Sequence, residues 1–355
     1  MSRVCPAVMR RRSLRLVSAV FALAFATLSV GPMRDTGGAR ARRQTPLVKF
    51  QVMPARLARG RYLVNNVAHC FMCHADIDCL HNNCQPVPGT QGSGQVLPAW
   101  ESGFPAPYQL VEPNITPDRK TGAGAWTDEQ FVRALREGIG HDGRRLFPAM
   151  PYANFRGLSD EDLASIVVYI RSLPPVRRAL PKSRIPPEFP VSAYASLEPP
   201  LPPVPVNASS EVRHGAYLVR LGNCSACHTT TDADGRWFPG MFLAGGQDYA
   251  APWGTFASAN ITPDPSGISW YTEDLFLKTI RTGREAGTGR KLNQFMPWSY
   301  FRNQTDGDLK AIFAYLRTLK PVRHHVDNTE PPTYCCIDKS KHGLGYTNCP
   351  PYVSR

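Results

Sequence analysis

The sequence predicts an all-α chain built from two tandem helical modules joined by a proline-rich connector. Three observations carry that expectation. A Cys-x-x-Cys-His pentapeptide occurs twice, as Cys70-Phe71-Met72-Cys73-His74 and Cys224-Ser225-Ala226-Cys227-His228, and its surroundings repeat with it. Apolar residues in both copies recur at helical spacing. Eleven prolines fall from Pro174 to Pro205, which excludes a continuous helix or a central strand there. At 355 residues the chain has room for two domains of ordinary size. The expected organisation is a signal peptide or N-terminal anchor over 1–30, a basic linker over 31–53, a first module over 54–176, the connector over 177–210, a second module over 211–322 and a Cys-containing tail over 323–355.

The formal charge of +13 is a property of the N-terminus more than of the body. Residues 1–43 hold nine Arg and one Asp, and without them 32 basic residues face 27 acidic ones. A body this close to neutral argues against nucleic-acid binding. Arg10-Arg11-Arg12-Ser13-Leu14-Arg15 followed by the apolar run Leu16 to Val30 reads as a secretory leader. The run is short against the about 17–25 residues of a membrane span, so a retained anchor is the second reading. Export to the periplasm is therefore expected, with attachment to the outer face of the inner membrane, through an uncleaved leader or a partner, as the alternative.

Cys-x-x-Cys-His is the attachment signature of a c-type haem: two thiols bond to the haem vinyl groups and the following imidazole ligates the iron. Cysteines three apart on a helical turn face one way, which lets the adjacent histidine lie beneath the porphyrin. A redox dithiol or half of a zinc site is the blander reading, and the repeat supplies no further zinc ligands. The candidates are thus Cys70, Cys73, Cys224 and Cys227 for attachment of two covalent haems c, and His74 and His228 for the irons.

Taken in order, a helical segment from Pro54 approaches the first motif with Leu57, Tyr62, Leu63 and Val67 at helical intervals, and Gly60-x-Tyr62-Leu63-Val64 matches Gly215-x-Tyr217-Leu218-Val219. A glycine repeated beside an aromatic residue suits a close helix crossing. After His74 the first copy carries eight extra residues that include Cys79 and Cys84, for which a local disulfide is the first reading in an oxidising compartment. Both copies then give Asn-Ile-Thr-Pro-Asp, at 114–118 and 260–264, a turn that cannot continue a helix. Thr127 and Gln130 have capping-box spacing and Trp126 can staple onto Phe131, so a helix should start there, as one should at Thr272. Gly138 and Gly283 are the matching stop signals.

Met150-Pro151 and Met296-Pro297 occupy equivalent positions beyond those helices, with Phe155 and Phe301 five residues further on. A thioether is a soft ligand for the iron face opposite histidine, so Met150 and Met296 are the candidate sixth ligands, whereas Met72 and Met241 are structural. His69, His81 and His141 are the alternatives to Met150. Each module closes with a helix, opened by Ser159 and by Thr305, that places Leu163, Ile166, Ile170 and Leu173, or Leu309, Ile312, Leu316 and Leu319, on one face. It should cross the helix preceding the haem motif. The tail retains Cys335, Cys336 and Cys349, without an assignable pairing.

With both modules in view, the chain resembles the multihaem cytochrome c subunits of periplasmic alcohol and aldehyde dehydrogenase complexes, over roughly Gly60 to Val322. The paired haem motifs, the Asn-Ile-Thr-Pro-Asp pentads, the Met-Pro-aromatic loops and the closing helices carry the likeness. It implies two class I cytochrome c-like domains, an electron carrier in place of an enzyme, a periplasmic dehydrogenase as donor, and a downstream cytochrome, oxidase or quinone as acceptor. Those subunits typically carry three haem modules where this chain has two. A dihaem redox enzyme such as a cytochrome c peroxidase is the alternative, and needs an iron with an open or displaceable sixth position.

Overall fold

The computed structural model describes residues 49–326, apart from 80, 188, 190–206, 233–234, 252–253 and 286, together with 333–334 and 341–342. The leader, most of the connector and the tail cysteines Cys335, Cys336 and Cys349 lie outside the described residues. Every described residue belongs to one compact unit, within Pro46–Arg355.

Helix α1 (Pro54–Tyr62) starts with proline at its first position, where no amide hydrogen is needed. It passes through a π-turn at Leu63–Val67 and, after His69 in the left-handed region at φ +36°, into a 3-10 turn at Cys70–Met72. Strands β1 (Ile77–Asp78) and β2 (Gln85–Pro86) pair across the insertion, and β3 (Gln95–Val96) pairs with β4 (Val111–Glu112) around the short α2 (Ala99–Ser102). Helices α3 (Asp128–Glu137), α4 (Tyr152–Phe155) and α5 (Asp160–Arg171) complete the first module. The second runs through α6 (Ser210–Leu221), α7 (Cys224–His228), the hairpin β5 (Asp248–Ala251) and β6 (Gly254–Ala257), α8 (Glu273–Thr282), α9 (Trp298–Phe301) and α10 (Asp306–Arg317). In the tail, β7 (Thr333–Tyr334) pairs with β8 (Lys341–His342).

The all-α expectation is overturned. Helices build the core, but eight strands pair into four two-stranded sheets among the described residues, so the fold is mixed α/β. Strands of two to four residues are too short to show an alternating pattern, which is why the periodicity revealed only the helices. Three of the four sheets lie between a haem motif and its pentad, where Gly and Pro bar a helix and backbone groups must find partners across the loop.

Local signals in the sequence reappear as contacts. Thr127 accepts from the Gln130 amide at 3.2 Å while Gln130 Oε1 accepts from the Thr127 amide at 2.8 Å, closing the capping box, and the Trp126 and Phe131 rings meet at 5.2 Å. Thr272, Ser159 and Thr305 cap α8, α5 and α10 through their hydroxyls. Gly138 and Gly283 end α3 and α8 in the left-handed conformation and lie against the rings of Tyr152 and Trp298. The predicted helix crossings are also present. A Cβ on Gly60 would collide with the Ser165 carbonyl of α5, and one on Gly215 with the Ala311 carbonyl of α10. Cys79 and Cys84 are joined by a disulfide.

The modules are sewn together by contacts that come in matched pairs. Tyr62 donates to Asp308 Oδ2 at 2.5 Å and accepts from the Thr305 amide at 3.0 Å, while Tyr217 donates to Asp162 Oδ2 at 2.6 Å and accepts from the Ser159 amide at 3.3 Å. Each pre-motif helix thus caps the closing helix of the other module. Leu218 and Leu221 join the buried cluster of the first module. The insertion adds a further tie: Gln85 donates to Ser299 at 2.8 Å and Tyr300 donates to the Cys84 carbonyl at 2.8 Å. The described start of the connector lies along the first module, where Arg178 pairs with Asp76 at 2.6 Å and Arg184 exchanges two backbone hydrogen bonds with Gln109 at 2.9 Å.

Candidate functional site

Each motif histidine is buried or half-buried and aimed by a backbone carbonyl. His74 Nδ1 lies 2.8 Å from the Pro113 carbonyl, and His228 Nδ1 lies 2.7 Å from the Ala259 carbonyl. A carbonyl only accepts, so Nδ1 carries the hydrogen and Nε2 is the free donor of an electron pair, the arrangement by which proteins orient metal-binding imidazoles. Desolvation lowers the pKa of both rings, against the opposing effect of these carbonyls, and so favours the neutral form that a metal requires.

Sequence reasoning missed both carbonyls and the role of the pentads that follow them. Asn114 Oδ1 accepts from the amide and hydroxyl of Thr116 at 2.9 and 2.7 Å, and its Nδ2 donates to the Val176 carbonyl at 2.8 Å. Asn260 repeats this with Thr262 at 2.9 and 2.8 Å and with Val322 at 2.9 Å. The pentad is therefore a clamp that fastens the carbonyl-bearing segment to the chain leaving the closing helix. A backbone carbonyl leaves no mark in residue type: Pro113 and Ala259 share only their place directly before each Asn.

The methionine loops are superimposable in their hydrogen bonds. The Met150 amide donates to Phe147 at 3.1 Å and the Met150 carbonyl accepts from Tyr152 at 2.7 Å; Met296 does the same with Asn293 at 3.1 Å and Trp298 at 2.7 Å. Cys70 and Met150 both border the first module's buried cluster. In the second module Cys224, Cys227, His228 and Met296 line one cavity of about 820 Å³. That cavity continues to Met72, Cys73, Glu101 and Glu112 of the first module, so space beside both motifs is continuous. None of the four motif cysteines is in a disulfide.

Three histidines were alternatives to Met150. His81 is exposed and hydrogen-bonded to Asp78, and the exposed His141 stacks on Trp126 at 4.7 Å. His69 turns its ring edge to Phe301 of the second module at 5.4 Å, and burial holds its imidazole at about 4.

The donor set fits an iron porphyrin: paired thiols, an imidazole with Nε2 free and a thioether on one cavity wall, together with the buried Asn293 Nδ2, which has no hydrogen-bond partner in the protein. The helical core and the duplicated Cys-x-x-Cys-His sites resemble those of c-type cytochromes. Residues 57–174 match the cytochrome c family, which implies covalently bound haem c. The chain is 33% identical to the fructose dehydrogenase cytochrome subunit of Gluconobacter japonicus, across 74% of this chain and 52% of that protein. It is 34% identical to the cytochrome c subunit of quinone alcohol dehydrogenase from Gluconacetobacter polyoxogenes, across 60% and 48% of the two chains. It is 27% identical to a dihaem cytochrome c-type protein of Cereibacter sphaeroides, across 68% and 82%. The chain spans about half the length of the fructose and alcohol dehydrogenase subunits it matches.

Proposed function

We propose that the protein is an exported dihaem cytochrome c that carries single electrons from a partner dehydrogenase to a downstream cytochrome, oxidase or quinone. The observation that carries this reading is the convergence of Cys224, Cys227, His228 and Met296 on one cavity, with matching hydrogen bonds around His74 and Met150 in the first module. The relatives support the donor, because two of the three named are cytochrome subunits of dehydrogenases.

The bound haem supplies one-electron chemistry at iron. The chain's own contribution is positional. Cys70 and Cys73, or Cys224 and Cys227, fix the porphyrin; His74 and His228 are held by Pro113 and Ala259 with Nε2 free; Met150 and Met296 offer the thioethers. With Met150 or Met296 as a ligand beside the imidazole, a bound haem would have a raised potential and would lack the open site that a peroxidase needs. The peroxidase alternative gains no support from these relatives.

Intact-mass measurement of the matured full chain should show two added haems, and Cys227→Ser should lose one. The purified protein should not turn over peroxide or small alcohols, and should be reduced when a quinone-type alcohol or fructose dehydrogenase and its substrate are added. Turnover by the cytochrome alone would overturn the carrier role.

A further inference from the structure

The two ends of the shared cavity are chemically unequal. At the second module, Asn293 lines the wall three residues before Met296. Its Oδ1 accepts from the Phe295 amide at 2.9 Å, which turns the NH₂ group away, and Nδ2 is buried without a protein partner. The equivalent residue of the first module, 146 positions earlier, is Phe147, whose ring packs on Phe104 and Phe189 and donates no hydrogen bond.

At the first module two carboxyl groups face the cavity beside Cys73. Glu112, on β4, is buried and accepts from Gln95 Nε2 at 2.9 Å; Glu101 comes from α2. Ser258 stands where Glu112 would be in the second module. The titratable groups lining this end are Glu101 and Glu112, with Tyr249 of β5, the strand packed on α2, and His69 beyond them; Cys73 has no thiol to titrate once a haem is attached, and the guanidinium on the cavity wall, Arg290, lies beside Glu285. Burial raises Glu112 to about 8 and Glu101 to about 7.

A hydrogen-bond donor directed at a bound redox group favours its electron-rich form. A carboxyl group favours the electron-poor form, because the extra positive charge on the oxidised iron stabilises the carboxylate. We propose that Asn293 and the Glu101–Glu112 pair order the two haem sites in potential, the second above the first, so that electrons enter at the His74 module and leave from the His228 module. One electron arrives from the dehydrogenase and one leaves to the acceptor; oxidation at the first site is accompanied by release of a carboxyl proton to solvent, and reduction by its return. The inference rests on the dihaem reading of the chain.

The test is an equilibrium redox titration of the full chain carrying both haems, with the count fixed beforehand by mass. Fewer than two haems would defeat the functional reading itself. With two present, Asn293→Leu should lower the upper step alone, and Glu112→Gln should raise the lower step alone and flatten its fall between pH 7 and 8. Phe147→Asn, which gives the first module the donor it lacks, should raise the lower step and keeps the question open to decision if Asn293→Leu does not fold. Steps that ignore these substitutions, or an Asn293→Leu shift in the lower step, would overturn the order while leaving the carrier role intact.

Discussion

Tyr62 donates to Asp308 across 246 residues of sequence, at 2.5 Å, and Tyr217 donates in the same way to Asp162. The first helix of each module completes the amino-terminal turn of the last helix in the other. Each half therefore contributes both the donor and the acceptor of one kind of contact, the relationship found between subunits of a two-fold dimer. The surroundings differ in one respect: Arg59 grips Asp162 through two hydrogen bonds of 2.7 and 2.9 Å, whereas Asp308 receives His214 at 2.7 Å.

Removing either tyrosine hydroxyl should weaken the module boundary. Hydrogen bonds to charged groups contribute roughly 1.5–3 kcal/mol, and Asp308 keeps His214 and its own N-cap when Tyr62 is lost. Tyr62→Phe is expected to cost about 1–2 kcal/mol in denaturant unfolding, and Tyr217→Phe a similar amount. Unchanged unfolding midpoints in both variants would show that the paired contacts do not hold the modules.

The glycine crossings should be intolerant of a single methyl group. Alanine favours an isolated helix by about 1 kcal/mol over glycine, but a Cβ at Gly60 or Gly215 meets a backbone carbonyl that cannot rotate away. Overpacking of this kind costs about 1–3 kcal/mol, so Gly215→Ala should be net destabilising and should displace α6 from α10. Thermal unfolding followed by circular dichroism reads the sign directly, and a gain in stability would contradict the crossing.

The proposed ligation by the two methionines makes a spectroscopic prediction. The weak red charge-transfer band of ferric haem with a thioether ligand should be present in the oxidised protein and should lose about half its intensity in Met150→Ala, because Met150 and Met296 have the same loop hydrogen bonds. Retention of the whole band would remove Met150 from the iron.

Acid should loosen the fold through His69. Its buried imidazole is held at about 4 against an ordinary 6.5, so the unfolded chain takes up the proton first as the pH falls. The stability tied to neutral His69 is complete above pH 6.5 and is lost progressively toward pH 4, at most about 3 kcal/mol in all. His69→Asn introduces the residue found at the matching position, Asn223, and should flatten the acid limb of a plot of unfolding midpoint against pH. A variant that declines as steeply as the parent would place the titration elsewhere.

What the sequence disclosed was local. Thr127 with Gln130 and Trp126 with Phe131 are three and five residues apart, so spacing alone was enough to read them. The two Cys-x-x-Cys-His motifs stood out because their residues are adjacent in sequence. The pentads read only as turns, since Asn114 meets Val176 after 62 intervening steps of chain. Tyr62 and Asp308 are further apart still, and nothing in either residue's neighbourhood names the other. The strands escaped notice for a different reason: with two to four residues each, they are held by cross-loop pairing, with too little side-chain alternation to register.

The disulfide places two opposite sulfur chemistries side by side. Under the haem reading Cys73 would have to remain a thiol until it adds to a vinyl group, yet six residues later Cys79 surrenders its hydrogen to join Cys84. A stray bond between Cys73 and Cys79 would spoil both outcomes. The tight turn that holds Cys79 beside Cys84, and the burial of both sulfur-bearing residues against Tyr249, Phe256 and Phe295 of the second module, withdraw that pair from exchange with the thiols of the motif. In the folded chain the insertion of the first module is thus covered by residues of the second, so the sulfur pair that belongs to one half of the molecule is roofed by the other.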